Sequence, residues 1–178
     1  MAWRSSEGSS THRSVEELED LIRSVSPDLL GYLVRWTQPV DDAADVLAET
    51  LVVAWRRRHD IPAGHDHARA WLFVVARNTL ANHRRGQLRR RALADRLRVQ
   101  LAGYDEGGPV GDEQTERVRA ALGTLPLEDQ ELITLIIWDG LAVAEAGQVL
   151  ELPASTARSR YARARTRLAR ALAGQERP

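Results

Sequence analysis

The chain has 178 residues, 43% of them apolar, and a formal net charge of zero. This composition suits one compact domain or two small ones and argues against a disordered protein. The lack of cysteine excludes disulfides and thiolate zinc sites, and no apolar run approaches the roughly 18 residues of a membrane span, so we expect a cytoplasmic protein without membrane insertion.

The charges are segregated along the chain. All 25 basic residues are Arg, and no acidic residue lies between Asp66 and Asp95 or between Glu151 and Glu176. Because Arg forms paired hydrogen bonds with phosphate and with guanine edges, two surfaces suited to nucleic acid are expected despite the neutral total.

The N-terminal part is predicted to be helical after a Ser- and Gly-rich tail over residues 1–13. Ser14 and Glu17 have the spacing of a capping box, which predicts a helix from Ser14 to about Val25. Pro27 suits the first turn of a second helix, Asp28–Thr37, whose inward residues are predicted to be Leu29, Leu30, Leu33 and Trp36.

A helix beginning near Asp41 is predicted to have two different faces. Its apolar stripe consists of Ala44, Leu47, Leu51, Ala54 and Trp55. Away from that stripe, Asp45 and Glu49 are like charges four residues apart, which cost an isolated helix about 0.2–0.5 kcal/mol. A basic partner would offset this cost, and a solvated acidic face is the alternative.

The predicted loop Asp60–His67 is rich in His and Asp, namely His59, Asp60, His65, Asp66 and His67. Imidazole and carboxylate are common zinc ligands, so a metal site is one interpretation and a solvated loop is the other. Trp71 follows at the start of the next helix, where it can support the loop or belong to the core.

That next helix is predicted to carry a polar stripe. Leu72, Val75, Ala76 and Thr79 can point inward, while another face carries Asn78, Asn82, Arg85 and Arg89. Asn is a poor residue within helices because its amide competes for backbone hydrogen bonds. Two Asn in register with Arg favour contacts with base edges and phosphates, the alternative being an accidental polar face.

Glycines and acidic residues after about Leu101 predict a domain boundary. We expect one domain over residues 14–98, a linker over residues 99–113 and a second domain over residues 114–174. An extended linker of roughly 15 residues would reach on the order of 50 Å.

The second domain has the pattern of a helix-turn-helix. An apolar stripe of Val118, Ala121, Leu122 and Leu125 precedes predicted helices over Glu128–Trp138 and Ala142–Leu150, a turn, and a long helix opened by Pro153. Gly147 is expected where two helices cross closely.

The last helix is predicted to be amphipathic and basic. Its core face is Ala157, Tyr161, Ala164, Leu168 and Leu172, and its other faces carry Arg158, Ser159, Arg160, Arg163, Arg165, Arg167 and Arg170. Residues near its N-terminus would read bases in the major groove, and later arginines would bind phosphate. A membrane surface is the alternative for such a helix, although a preceding short helix and turn disfavour it.

Two blocks resemble the extracytoplasmic-function sigma factors of bacterial RNA polymerase. DVLAETLVVAW (Asp45–Trp55), AWLFVVARN (Ala70–Asn78) and the following Arg-rich stretch resemble region 2. The segment from Leu125 to Leu172, which begins LPLEDQELITLIIW, resembles region 4. The resemblance implies an all-α protein of two small helical domains that is not an enzyme and has no cofactor. It would bind core polymerase at the β′ clamp and β flap, recognise the minus-35 and minus-10 promoter elements, promote DNA opening and be controlled by an anti-sigma factor.

The resemblance also implies roles for individual residues. Polymerase binding falls on Asp45, Glu49, Val52 and Val53; minus-10 binding on Asn78, Asn82, Arg84, Arg85 and Arg89; minus-35 binding on Ser155, Thr156, Arg158, Ser159, Ala162 and Arg163. The loop before Trp71 would help to hold an unstacked promoter base. The acidic linker would pass near the polymerase cleft, where it would mimic nucleic acid or act as a simple tether.

The chain departs from the family pattern at four positions. Ala142 replaces a usual capping Ser, at a cost of about 1 kcal/mol to the short helix. Ala146 replaces a bulky aliphatic residue, Ser155 stands where Gly is common, and Ile136 where Arg is common. These differences predict a softer second domain or an unusual minus-35 preference.

Two other classes of function remain open from the residues alone. A conventional regulator would bind duplex DNA through its C-terminal domain without joining polymerase. A nucleic-acid enzyme would need the His and Asp loop to bind a metal, but the sequence offers neither a nucleophile nor a complete ligand set.

Overall fold

A computed structural model describes the backbone of residues 15–98 and 113–174, and the side chains of residues 16–88 and 116–173. The helices in these ranges are α1 (Val15–Trp36), α2 (Asp42–Arg56), α3 (His65–Arg98), α4 (Glu113–Gly123), α5 (Leu127–Ile137), α6 (Val143–Val149) and α7 (Ala154–Gly174), with a 3-10 turn at Arg58–Asp60. The described parts contain no strand, so the predicted all-α fold is confirmed. The predicted tail and residues 99–112 of the predicted linker lie outside the described residues.

One continuous helix, α1, replaces the two helices predicted on either side of Pro27, so that prediction was wrong. Its buried residues keep the helical period across the proline: Leu18, Leu21, Val25, Leu29, Tyr32 and Leu33. A proline inside a helix costs about 3 kcal/mol, and burial of this stripe offsets that cost. The Ser26 hydroxyl also donates a 2.6 Å hydrogen bond to the Ile22 carbonyl, just before the interruption. Leu30 was predicted to point inward but is exposed.

The core face of α2 is rotated from the predicted stripe. Its buried residues are Ala43, Val46, Thr50 and Ala54, whereas Ala44 and Trp55 are exposed. Thr50 can be buried because its hydroxyl donates a 2.7 Å hydrogen bond to the Val46 carbonyl of the same helix, so the hydroxyl is not left without a partner. The Trp55 ring instead lies beneath the Arg58 guanidinium, 5.7 Å from its centroid.

The connection between α2 and α3 is shorter than predicted, because α3 already begins at His65. Gly64 precedes it with a φ of 81°, a left-handed conformation that favours glycine. The predicted inner face of α3 is confirmed, since Leu72, Val75, Ala76 and Thr79 are all buried. Trp71 is also buried and therefore belongs to the core rather than to the loop.

The C-terminal helices follow the predicted helix-turn-helix. Leu125, Ile133 and Ala164 form a small core, against which Leu122, Tyr161 and Leu168 pack. Glu151 makes the turn between α6 and α7 with a φ of 57°. The predicted core face of α7 is confirmed, with Ala157 and Ala164 fully buried.

A larger core joins the N-terminal and C-terminal helices. Buried residues of α1, α2 and α3 form one continuous apolar cluster with residues around α5 and α6, the latter being Leu132, Leu135, Leu141, Ala146, Val149 and Leu150. Within it, the Tyr32 and Phe73 rings meet edge to face with centroids 5.6 Å apart. The two halves of the chain are therefore packed together, which the sequence did not predict.

Candidate nucleic-acid interface

The outer face of α3 carries the predicted polar stripe at the surface. Asn78, Asn82, Arg84 and Arg85 are all exposed. Arg85 donates a hydrogen bond to the Asn82 side-chain oxygen, and Arg84 donates one to the Trp36 carbonyl at the end of α1. These bonds orient the stripe while Asn78 stays exposed. The side chain of Arg89 lies outside the described residues.

The first turn of α2 is joined to α3 by a polar network that sequence reasoning missed. The Asp42 carboxylate lies 3.0 Å from the His83 ring nitrogen Nε2 and also accepts a hydrogen bond from the Gln87 amide. His83 lies between the predicted DNA contacts Asn82 and Arg84. The network therefore sets the position of the polar stripe relative to α2.

The outer face of α2 combines negative charge with apolar surface. Asp45, Glu49 and Val52 are exposed, as predicted, but Val53 is half-buried against the core. Trp55 is 44% exposed and extends the same face, although the sequence pattern had placed it in the core. An exposed Trp beside carboxylates suits a partner that is both basic and apolar.

The start of α7 presents the residues predicted to read duplex DNA. Ser155, Arg158, Ser159, Ala162 and Arg163 are exposed, and Thr156 is half-buried. The Ser159 hydroxyl donates a 3.0 Å hydrogen bond to the Thr156 carbonyl. This face is free of large apolar side chains and can enter a major groove.

The packing of α6 on α7 sets the angle of that face. A Cβ placed on Gly147 would lie 2.8 Å from the Ala157 Cβ, so only glycine allows the helices to approach this closely. The Glu145 carboxylate accepts a 2.8 Å hydrogen bond from the Ala142 N–H, which is half of a capping box. Alanine has no side-chain acceptor for the other half, as the sequence predicted.

Arg160 is not part of the basic DNA-facing surface, contrary to the prediction from the pattern. Its guanidinium bonds to Glu128 at 2.7 Å and to the buried Asp129 at 2.9 Å. These carboxylates raise the pKa of Arg160. The side chain therefore ties α7 to the first turn of α5 and supports the fold.

Glu131 of α5 contacts polar side chains of the N-terminal helices α1 and α3. Glu131 Oε1 accepts a 2.8 Å hydrogen bond from the Tyr32 hydroxyl and lies 3.2 Å from Arg77 Nε. Burial, together with the neighbouring Glu131 charge, raises the pKa of Tyr32 well above its usual value, so Tyr32 stays a hydrogen-bond donor. These polar contacts join the two halves of the chain.

Neither a metal site nor a membrane span is present in the part of the chain that the structure describes. No group of three His, Asp or Glu side chains in these residues is arranged to hold a metal ion. None of the described helices is long and apolar enough to cross a membrane.

Comparison with known families agrees with the two-part arrangement. Residues 21–91 match the family model for Sigma-70 region 2, and residues 115–168 match that for Sigma-70 region 4. Together the two matches cover more than two thirds of the chain, in the order expected of one protein. The chain belongs to the sigma-70 family.

Relatives of this sigma factor carry matching names. It is 27% identical to the RNA polymerase sigma-H factor of Pseudomonas aeruginosa over 85% of this chain and 84% of that protein. It is 28% identical to the ECF RNA polymerase sigma factor EcfG of Rhodopseudomonas palustris, over 86% of this chain and 83% of that protein. The resemblance to extracytoplasmic-function sigma factors is thereby confirmed. A sigma factor is a transcription initiation factor and not an enzyme, which agrees with the sequence-based expectation.

Solved structures share the fold. A sigma factor RpoE from Bartonella quintana, in complex with the anti-sigma factor NepR, superimposes with a TM-score of 0.67 at 26% identity, covering 92% of this chain and 100% of that one. The structure of CnrH in complex with the cytosolic domain of CnrY superimposes with a TM-score of 0.61 at 23% identity, covering 94% of each chain. The arrangement of helices in this sigma factor is therefore also found in structures determined for other proteins.

Proposed function

We propose that this sigma factor directs initiation by binding core RNA polymerase and contacting promoter DNA with both halves of the chain. In this proposal α2 docks on the β′ clamp through Asp45, Glu49 and Val52, with Val53 supporting the face from its half-buried position. Trp55 extends the contact. The mixture of exposed carboxylates and exposed apolar surface on one helix face supports this assignment.

The α3 stripe is proposed to bind the minus-10 element as its strands separate. Asn78 and Asn82 provide amides for base edges, and Arg84, Arg85 and Arg89 provide charge for the phosphate backbone. Capture of unstacked non-template bases by this stripe would stabilise the opened DNA. The exposure of Asn78 in the middle of a helix that is otherwise firmly packed supports a role at the surface.

The N-terminal part of α7 is proposed to bind the minus-35 element in the major groove. Its candidate contacts are Ser155, Thr156, Arg158, Ser159, Ala162 and Arg163. Ile136 stands where relatives often carry Arg. Its side chain is partly buried and packs against the larger core, so it is not directed at DNA. We therefore propose that the minus-35 contact is made by α7 without help from that position.

Regulation by an anti-sigma factor is proposed from the similarity to RpoE, whose structure contains the anti-sigma factor NepR. The protein would act in the cytoplasm, where RNA polymerase works. The β flap is the proposed polymerase contact of the C-terminal half.

One observation carries the proposal: a single chain presents an acidic and apolar helix face together with two distinct DNA-suited faces. Run-off transcription with core polymerase and a genomic promoter library tests it. Specific transcripts that require the added chain are expected. A folded chain that binds duplex DNA but neither retains β′ nor directs transcripts would identify a conventional DNA-binding regulator instead.

A further inference from the structure

The far end of the polar stripe on α3 lies beyond the apolar core. Among the side chains that the structure describes, Leu80 is the last buried residue of this helix, and residues 81–88 are exposed or half-buried. The proposed minus-10 contacts Asn82 and Arg85 fall within that segment. Because a helical segment with few buried contacts opens easily, apolar packing does not fix the direction of these two side chains.

Polar contacts attach the segment to the two helices behind it. His83 and Gln87 both reach the Asp42 carboxylate in the first turn of α2, and the distance from the His83 ring nitrogen Nε2 is 3.0 Å. On the other side of the connection between α1 and α2, Arg84 donates a hydrogen bond to the Trp36 carbonyl. The segment is therefore held at the last turn of α1 and at the first turn of α2.

The direction of the hydrogen bond between His83 and Asp42 follows from the chemistry of its two ends. An ionised carboxylate only accepts hydrogen bonds, so His83 Nε2 must carry a hydrogen and act as the donor. The Gln87 amide lies 3.0 Å from the same nitrogen, which has no lone pair left to accept, so the amide donates to Asp42 instead. Asp42 thus accepts two hydrogen bonds from α3, and its place at the start of α2 favours its negative charge.

His83 is more enclosed than its partner. Its side chain is 13% exposed, against 29% for Asp42. Limited access of water strengthens a hydrogen bond to a charged group relative to one at the open surface. By contrast, the bond from Arg85 to Asn82 joins two exposed side chains of one helix, so it cannot attach the segment to α1 or α2.

We propose that His83 is a positioning residue for promoter opening, because its bond to Asp42 holds the turn of α3 that carries Asn82 and Arg85. His83 acts through these two side chains rather than on DNA itself. Without the bond, the turn samples several orientations, which weakens the capture of unpaired bases but not the docking of α2 on polymerase. The inference rests on the proposed function for the role of the stripe, whereas the attachment to α2 rests on the contacts alone.

Variants of His83 in the full chain test this role. His83→Ala removes the donor and should lower the opening equilibrium, measured by permanganate reactivity of promoter thymines, by at least about tenfold, or ~1.4 kcal/mol. Affinity for core polymerase and gel shift of the closed complex should stay within about twofold of wild type. His83→Gln places an amide donor near the former position of Nε2 and should restore most of the opening.

Two further positions identify the partner and control for side-chain truncation. Asp42→Ala removes the acceptor of both bonds, so it should lower opening at least as far as His83→Ala, and combining the two should bring no further loss. Leu88→Ala truncates a side chain of the same helix that is 65% exposed, and it should change none of the signals. Additive losses would overturn the positioning role, as would an opening defect that His83→Gln does not relieve. Equal loss of polymerase binding, closed complex and opening in His83→Ala would show general destabilisation instead.

Hydrogen exchange of the free chain separates failure of this role from failure of the proposed function. Backbone amides of residues 81–88 should exchange at least about tenfold faster in His83→Ala than in wild type, while those of residues 71–80, which the core holds, should not change. Unchanged exchange would refute the attachment even in a chain that directs transcription. Faster exchange in this variant, together with a wild-type chain that opens no promoter, would refute the sigma function and leave the attachment intact.

Discussion

A Cβ on Gly147 would meet the Ala157 Cβ at 2.8 Å, closer than real side chains approach. This contact lies at the crossing of α6 and α7, so it determines how the DNA-facing helix is held. Gly147→Ala is expected to lower the free energy of unfolding by ~1–3 kcal/mol through overpacking. Gly123→Ala is the matched control, because no atom lies within 4 Å of its added Cβ. That control should be neutral or stabilising by about 0.4–1 kcal/mol, and equal urea midpoints for the two variants would contradict the packing argument.

Two neighbouring arginines of α7 are expected to have opposite roles. Arg160→Ala leaves the buried Asp129 carboxylate without its partner and should cost about 1–3 kcal/mol of stability. Arg158→Ala changes an exposed side chain and should alter stability by less than about 0.5 kcal/mol while weakening binding to a minus-35 duplex. Urea denaturation and fluorescence anisotropy measure the two effects. The assignment fails if Arg158→Ala destabilises the chain as much as Arg160→Ala does.

Asn78→Ala is expected to weaken promoter opening more than duplex binding. A lost base-edge contact is worth ~1–3 kcal/mol, but the contact is made only after the bases separate. Permanganate reactivity of unpaired thymines reports opening, and gel shift of the closed complex with polymerase reports binding. Gln148→Ala, an exposed amide on α6, is the control and should change neither signal. Equal loss of binding and opening in Asn78→Ala would place the residue outside the minus-10 contact.

Charge reversal at Asp45 and Glu49 is expected to reduce affinity for core polymerase with the fold intact. Both side chains are exposed, so a basic partner surface would be repelled rather than attracted. Glu16→Arg with Asp20→Arg is a matched control, since those exposed carboxylates are also four residues apart, on α1. Titration of labelled chain with core polymerase should give at least a tenfold weaker Kd for the α2 variant only. An unchanged Kd would remove this face from the polymerase contact.

The buried Asp139 is expected to make stability depend on pH. Burial raises the pKa of this carboxyl, with Arg35 opposing the shift. A raised pKa means that the folded chain keeps this proton when the unfolded chain has lost it, so folding is favoured at lower pH. The stability difference, wild type minus Asp139→Asn, should therefore fall as pH rises from about 3.8 through the raised pKa and then level off. A difference that rises over this range would show that the pairing with Arg35 outweighs burial.

Sequence patterns alone determined the helical fold, the helix-turn-helix, the glycine at the helix crossing and the exposed stripe of α3. These features depend on residues close in sequence, whose period or spacing a helix preserves. Tertiary structure decided the rest. Burial of one apolar stripe keeps α1 continuous through Pro27. Packing against neighbouring helices determines which face of α2 is buried. Arg160 pairs with a carboxylate about 30 residues away in the sequence. The same holds for the Tyr32 and Arg77 contacts with Glu131, because charge complementarity between distant segments leaves no local period in the sequence.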